Sequence, residues 1–174
     1  MNKLNFKTVL ILLLAIIVIG GCENLLDFTF ETDYSRVDFI VNPEEAGNYV
    51  ESYKMLSTDL DSIIKEEGHD LADLESVKLH DARVEVLSAG GNFDPVGSIE
   101  IIIEATGLPA VTLASKDNVP DGLTSSTLDV YTGELKDYLK AKSYKLTIKL
   151  FLDEDLVDPM TIRAELKHKI TLGI

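Results

Sequence analysis

Two stretches near the C-terminus alternate between apolar and polar side chains, and an extended strand is the conformation that puts every second residue on one face. In "SYKLTIKLFL" one phase holds Tyr144, Leu146, Ile148, Leu150 and Leu152. In "MTIRAELKHKITL" one phase holds Met160, Ile162, Ala164, Leu166, Ile170 and Leu172, and the other holds Arg163, Glu165, Lys167 and Lys169. The pair reads as a C-terminal β-hairpin with one buried face and one wetted face. His168 is the odd member, because its phase sets it among the apolar residues.

The rest of the chain repeats this pattern in shorter pieces. "SRVDFIV" alternates Val37, Phe39 and Val41 against Arg36, Asp38 and Ile40, and ends at the turn signal Asn42-Pro43. "VGSIEIIIEATG" places Ile99, Ile101 and Ile103 opposite Glu100, Ile102 and Glu104. In "LESVKLHDARVEVLSAGG" the apolar phase slips by one residue, which predicts a β-bulge near His80-Asp81. The segment between Asn42 and Gly68 fits either one amphipathic helix or two elements. The Tyr- and Val-rich stretch, followed by Ser57-Thr58 and closed by Gly68, favours a strand at about 47–55 and a short helix at about 58–67. "LPAVTLA" and "STLDVY" read as short strands, and "GELKDYLKA" as a turn or short helix. The expected fold is mainly β: an antiparallel β-sandwich, immunoglobulin-like or related, with one or two short helices in connections.

The N-terminus has a separate logic. Lys3 and Lys7 precede an apolar run at residues 9–19, about 17 Å as a helix against a bilayer core of about 30 Å. That is too short for a comfortable span and has the layout of an export signal. The run ends in Ile19-Gly20-Gly21-Cys22, which resembles the lipobox of bacterial lipoproteins at every position. The resemblance implies that the Cys22 thiol is joined to a diacylglycerol, that the signal is cut before it, and that the new amino group is acylated. Two or three acyl chains give stable anchoring, at roughly 0.8 kcal/mol per buried methylene. The expected organisation is a cleaved signal peptide at residues 1–21 and a single sandwich domain at 22–174, anchored to the membrane through Cys22. Glu23, where some bacteria use aspartate for inner-membrane retention, leans the expectation toward the outer membrane.

From "GLPAVTLASKDNVPDG" to "TLDVYTGELKDYLKAKSYKLTIKLFLDED" the chain is similar to small β-sandwich lipoproteins of diderm bacterial envelopes. The resemblance implies a sandwich and carries over no catalytic residue.

Cys22 is the only cysteine, so a lipidated chain has no disulfide and its core alone must hold the fold. The formal charge of −14 argues against nucleic acid as a partner and against electrostatic adsorption to an anionic membrane. No nucleophile elbow, zinc-protease motif or phosphate loop occurs. Glu100 and Glu104 share a strand face about 13 Å apart, beyond either glycosidase spacing, and read as solvated charges with lysine partners. His69, His80 and His168 are scattered. The acids of "SKDNVPDG" (Asp117, Asn118, Asp121) and "LDEDLVDP" (Asp153, Glu154, Asp155, Asp158) match turn chemistry better than an EF-hand calcium loop. Lys145, Lys149, Lys167 and Lys169 read as solvated charges on the hairpin's outer face that discourage edge pairing, with a basic stripe for a glycan or phosphate-bearing lipid as the lesser alternative. No catalytic, metal or cofactor residue is assigned. The expected function is a non-enzymatic envelope lipoprotein that binds or scaffolds an envelope protein or glycan. A module carrying a lipid, glycan or calcium ion is the alternative.

Overall fold

The computed structural model describes residues 27–173; the signal segment, the lipobox and Cys22 lie outside the described residues. The strands are β1 (Phe28–Glu31), β2 (Ser35–Val41), β3 (Tyr49–Ser57), β4 (Leu74–Val86), β5 (Val96–Ala105), β6 (Val111–Asp117), β7 (Ser125–Thr127), β8 (Asp129–Val130), β9 (Ser143–Leu152) and β10 (Met160–Leu172). Helix α1 (Leu60–Glu66) follows β3, and helix α2 (Lys136–Lys140) precedes β9. Among the described residues no helix is long and apolar enough to cross a membrane.

The strands form two antiparallel sheets. In the first, β10 is flanked on one side by β1 and β2, end to end, and on the other by β4 and then β7. The second runs β3-β9-β5-β6-β8. The chain crosses between sheets repeatedly, β2 to β3, β3 to β4 and β4 to β5, so strands adjacent in sequence face each other across the core. This is the two-sheet winding of a jelly roll, a Greek-key relative of the immunoglobulin sandwich.

The winding corrects one expectation. β9 and β10 do not form a hairpin: β9 lies between β3 and β5, β10 lies in the other sheet, and residues 153–159 bridge the two. Seven residues easily span the roughly 10 Å between stacked sheets. The alternation nevertheless reports the buried faces correctly. Leu146, Ile148, Leu150 and Leu152 from one sheet, and Ile162, Ala164, Leu166 and Ile170 from the other, are buried in one continuous cluster with Phe39 and Ile101.

The shorter elements follow their local sequence. Gly68 ends α1 with a positive φ of 83°, a conformation that residues with a Cβ adopt at a cost. Helix α2 is only five residues long and depends on Glu134 just before it. One carboxylate oxygen of Glu134 accepts the backbone N–H groups of Val77 (2.8 Å), Lys136 (2.9 Å) and Leu135 (3.1 Å), and the other accepts the Ser76 hydroxyl (2.6 Å). Burial alone would raise the Glu134 pKa, but these four donors outweigh it and hold the carboxyl below its ordinary value. The side chain thereby ties the helix start to the edge of β4. Replacing it leaves several donors without partners, so Glu134→Ala is expected to lower unfolding stability by about 2 kcal/mol in a urea titration.

Candidate functional site

β10 is irregular at one level on both of its sides. Toward β4, Lys167 faces Asp81 while His168 faces Leu79, so His80 is the extra residue of the predicted bulge. Toward the other side, β1 ends with Glu31 opposite Lys169, and β2 begins with Ser35 opposite Leu166. Residues 32–34 therefore bow away from the sheet. The bow is fastened from within: the Thr32 N–H donates to the His168 carbonyl (2.9 Å), and the His168 N–H donates to the Thr32 hydroxyl (3.1 Å).

A cavity of about 420 Å³ opens between this break, α1 and the inner end of β9, within the size range of small-molecule sites. Buried Leu60, Val77, Leu139 and Ile170 and half-buried Phe30 and Ile63 form its apolar wall. Asp33, Asp59, Glu66 and Glu67 are exposed along its rim. His168, Tyr144 and the hydroxyl side chains of Thr32, Tyr34, Ser35 and Thr58 also line it, and neither His168 nor Tyr144 makes a side-chain hydrogen bond to the described residues. Burial pushes the His168 pKa down to about 4, so its imidazole is neutral at neutral pH. Burial, with a smaller contribution from the nearby Asp59, raises the Tyr144 phenol.

The outer side of the break carries a charge network. The Tyr34 hydroxyl donates to Asp81, and Arg83 bonds the same carboxylate at 2.9 Å. These partners, with the Tyr34 bond dominant, hold Asp81 below its usual range, and the same bond raises Tyr34. Glu31 pairs with Lys167 at 2.6 Å and with His80 at 3.1 Å, and the Lys167 bond lowers its pKa.

The outer face of the second sheet presents a different surface. From β3 it receives Tyr49, Glu51, Tyr53 and Met55, whose register partners on β9 are Phe151, Lys149, Thr147 and Lys145. β5 continues the rows with Ser98, Glu100, Ile102 and Glu104. Tyr49, Tyr53 and Met55, on the edge strand of this sheet, are 61%, 64% and 61% exposed. The Lys149 ammonium lies 4.3 Å from the Tyr49 ring centre and the Lys145 ammonium 5.8 Å from that of Tyr53, cation–π contacts that steady both rings. Phe151 packs against Tyr49 at 5.2 Å. At the centre, Thr147 is buried and its hydroxyl has no partner among the described residues.

These positions settle several residues singled out in the sequence. Glu104 pairs with Lys145, and Glu100 lies 4.0 Å from Lys149, as expected of solvated strand charges. The basic stripe does not exist. Lys145 and Lys149 lie on one outer face of the sandwich and Lys167 on the other, and all three have carboxylate neighbours. His69 stacks on Phe28 with ring centres 5.2 Å apart. The acidic loops work as turns. Asn118 takes a positive φ of 52°, Gly122 donates its N–H to Asp94, and Asp155 accepts the Ala46 N–H at 2.9 Å. Among the described residues no three His, Cys, Asp or Glu side chains converge to hold a metal ion. The cavity and the tyrosine face were not anticipated. Tyr49 and Tyr53 in the polar phase of a strand were the available signal for the face; the cavity draws on segments too far apart in sequence to leave one.

No protein-family model matches the sequence, and no curated protein matches it. Among solved structures, the chain is similar to a carbohydrate-binding module of the β-sandwich superfamily, with a TM-score of 0.36 and 16% identity over 79% of this chain. The match takes in 54% of that protein, so this chain spans about half its length. It is also similar to the decameric capsid protein of BFDV, with a TM-score of 0.40 and 13% identity over 85% of this chain and 99% of that one.

The depressed His168 pKa has a direct thermodynamic consequence. Between an unfolded value near 6.5 and the folded value of about 4, the unfolded chain binds the proton more readily. Stability from this group is thus complete above about pH 6.5 and falls as the pH drops toward 4, by up to about 3 kcal/mol. Urea midpoints measured from pH 7 to pH 4 should decline in the native protein, and His168→Leu should flatten that portion of the curve.

Proposed function

We propose that this protein is a lipid-anchored, non-enzymatic binding module of the bacterial cell envelope, and that its β3-β9-β5 face takes an uncharged glycan. The observation that carries the glycan reading is the pair of exposed rings, Tyr49 and Tyr53, set four residues apart on an outward strand face among carboxylates and ammonium groups. Aromatic rings offer apolar faces to the C–H sides of a sugar, and the flanking Glu and Lys side chains offer acceptors and donors to its hydroxyls. Glu100 and Glu104 have Lys149 and Lys145 as neighbours, so the central charges are largely balanced within the face. An uncharged, hydroxyl-rich partner fits that balance better than a polyanion, which the net charge of −14 would repel.

The anchor supports the envelope part of the reading. Ile19-Gly20-Gly21-Cys22 carries the lipobox pattern, and β1 begins only six residues after Cys22, which would hold the domain close to its membrane. Glu23 favours the outer membrane as its location.

Two measurements test the proposal. On an array of uncharged bacterial glycans, residues 22–174 carrying Cys22→Ser should retain at least one glycan, and a Tyr49→Ala/Tyr53→Ala variant with an unchanged far-ultraviolet spectrum should bind it at least tenfold more weakly. Retention of no glycan, or binding indifferent to the tyrosines, would remove the glycan reading. In cells, the native chain should fractionate with membranes and show the mass of a diacylglyceryl adduct, whereas Cys22→Ser should not; an unmodified Cys22 would remove the anchor.

A further inference from the structure

We propose that the cavity at the β1–β2 break is a second ligand site, selective for a small organic cation with an apolar body. Three features of this open cavity lead there. Its volume of about 420 Å³ lies within the range of small-molecule sites, ample for a ligand of that size class. One side of its wall is apolar, with Phe30 and Ile63 over buried Leu60, Val77 and Ile170, so a hydrocarbon or aromatic body displaces water from that side favourably. Within that wall stand two neutral polar side chains, His168 and Tyr144, without hydrogen-bond partners among the described residues. A neutral imidazole has one acceptor nitrogen and a phenol one acceptor oxygen, and an N–H-bearing cation satisfies either.

The rim sets the sign of the charge. Asp33, Asp59, Glu66 and Glu67 line the opening, and none of them joins an ion pair among the described residues. Glu31, the fifth carboxylate of the lining, already has Lys167 and His80 as partners. No lysine or arginine lines the cavity, so an anion would meet repulsion with nothing to offset it. A neutral hydrocarbon would fill the wall but leave the crowded carboxylates without a counter-charge. An ammonium attached to an apolar body answers both halves of the site. The site is separate from the tyrosine face, which lies on the outside of the second sheet.

The experiment is a heteronuclear NMR titration of residues 22–174 carrying Cys22→Ser at pH 7, with n-octylamine, octan-1-ol and octanoate as probes of equal chain length. Octylamine is expected to give saturable shifts at Ile63, Tyr144 and His168. Octanol should bind at least tenfold more weakly and octanoate more weakly still. Because Glu66 and Glu67 are exposed at the end of α1, Glu66→Gln/Glu67→Gln should keep the fold, weaken octylamine by about tenfold and leave octanol unchanged. Octanol or octanoate binding as tightly as octylamine would overturn the charge selectivity. Octylamine shifts confined to other surfaces, or absent in the millimolar range, would overturn the site itself.

Discussion

The first sheet depends on one strand, β10, which bonds to β1 and β2 along one edge and to β4 along the other. Its thirteen residues alternate in and out, so Ile162, Ala164, Leu166 and Ile170 reach the core while Arg163, Glu165 and Lys167 face outward toward Asp38, Arg36 and Glu31. A slip of one residue would exchange those two sets and place charges in the core. β9 plays the matching part in the second sheet between β3 and β5. With no disulfide available to the described chain, the apolar cluster shared by the two sheets keeps them together. The outer ion pairs are exposed and add little individually.

The sequence made the strands legible because a half-buried strand writes its periodicity directly into residue type. Phe39 and Ile101 could be placed in the core from phase alone, and the phase slip at His80 located a bulge that the register of β4 with β10 contains. The strand at Tyr49–Ser57 and the helix at Leu60–Glu66 follow from the Thr58 and Gly68 boundary signals. Phase does not say which strand lies alongside. β9 and β10 look like a hairpin because they are consecutive and equally amphipathic, yet residues 153–159 form too long a link to enforce pairing, and the second sheet claims β9. For the same reason the four lysines fall on two outer faces instead of one.

The candidate sites were less legible because each is a product of packing between distant segments. His168 stood out in sequence as a polar residue in an apolar phase. Its meaning depends on Thr32, more than a hundred residues away, and no local pattern connects them. The tyrosine face is the intermediate case: Tyr49 and Tyr53 share a strand phase, but their spacing of four also suits a helix face, and only the strand assignment turns both rings outward.

The division of one sheet edge into β1 and β2 also has a mechanical meaning. A pull on the chain ahead of Phe28 is met first by four residue pairs with β10, whereas seven further pairs hold β2 beyond the bow at residues 32–34. The bow separates the two ladders, so tension can peel β1 away while β2 and the core behind it stay closed. Because Phe30 and Glu31 belong to the cavity wall, the same peeling would unroof that cavity. The edge is therefore built as a fuse in series with a lock, and the pocket lies at the fuse.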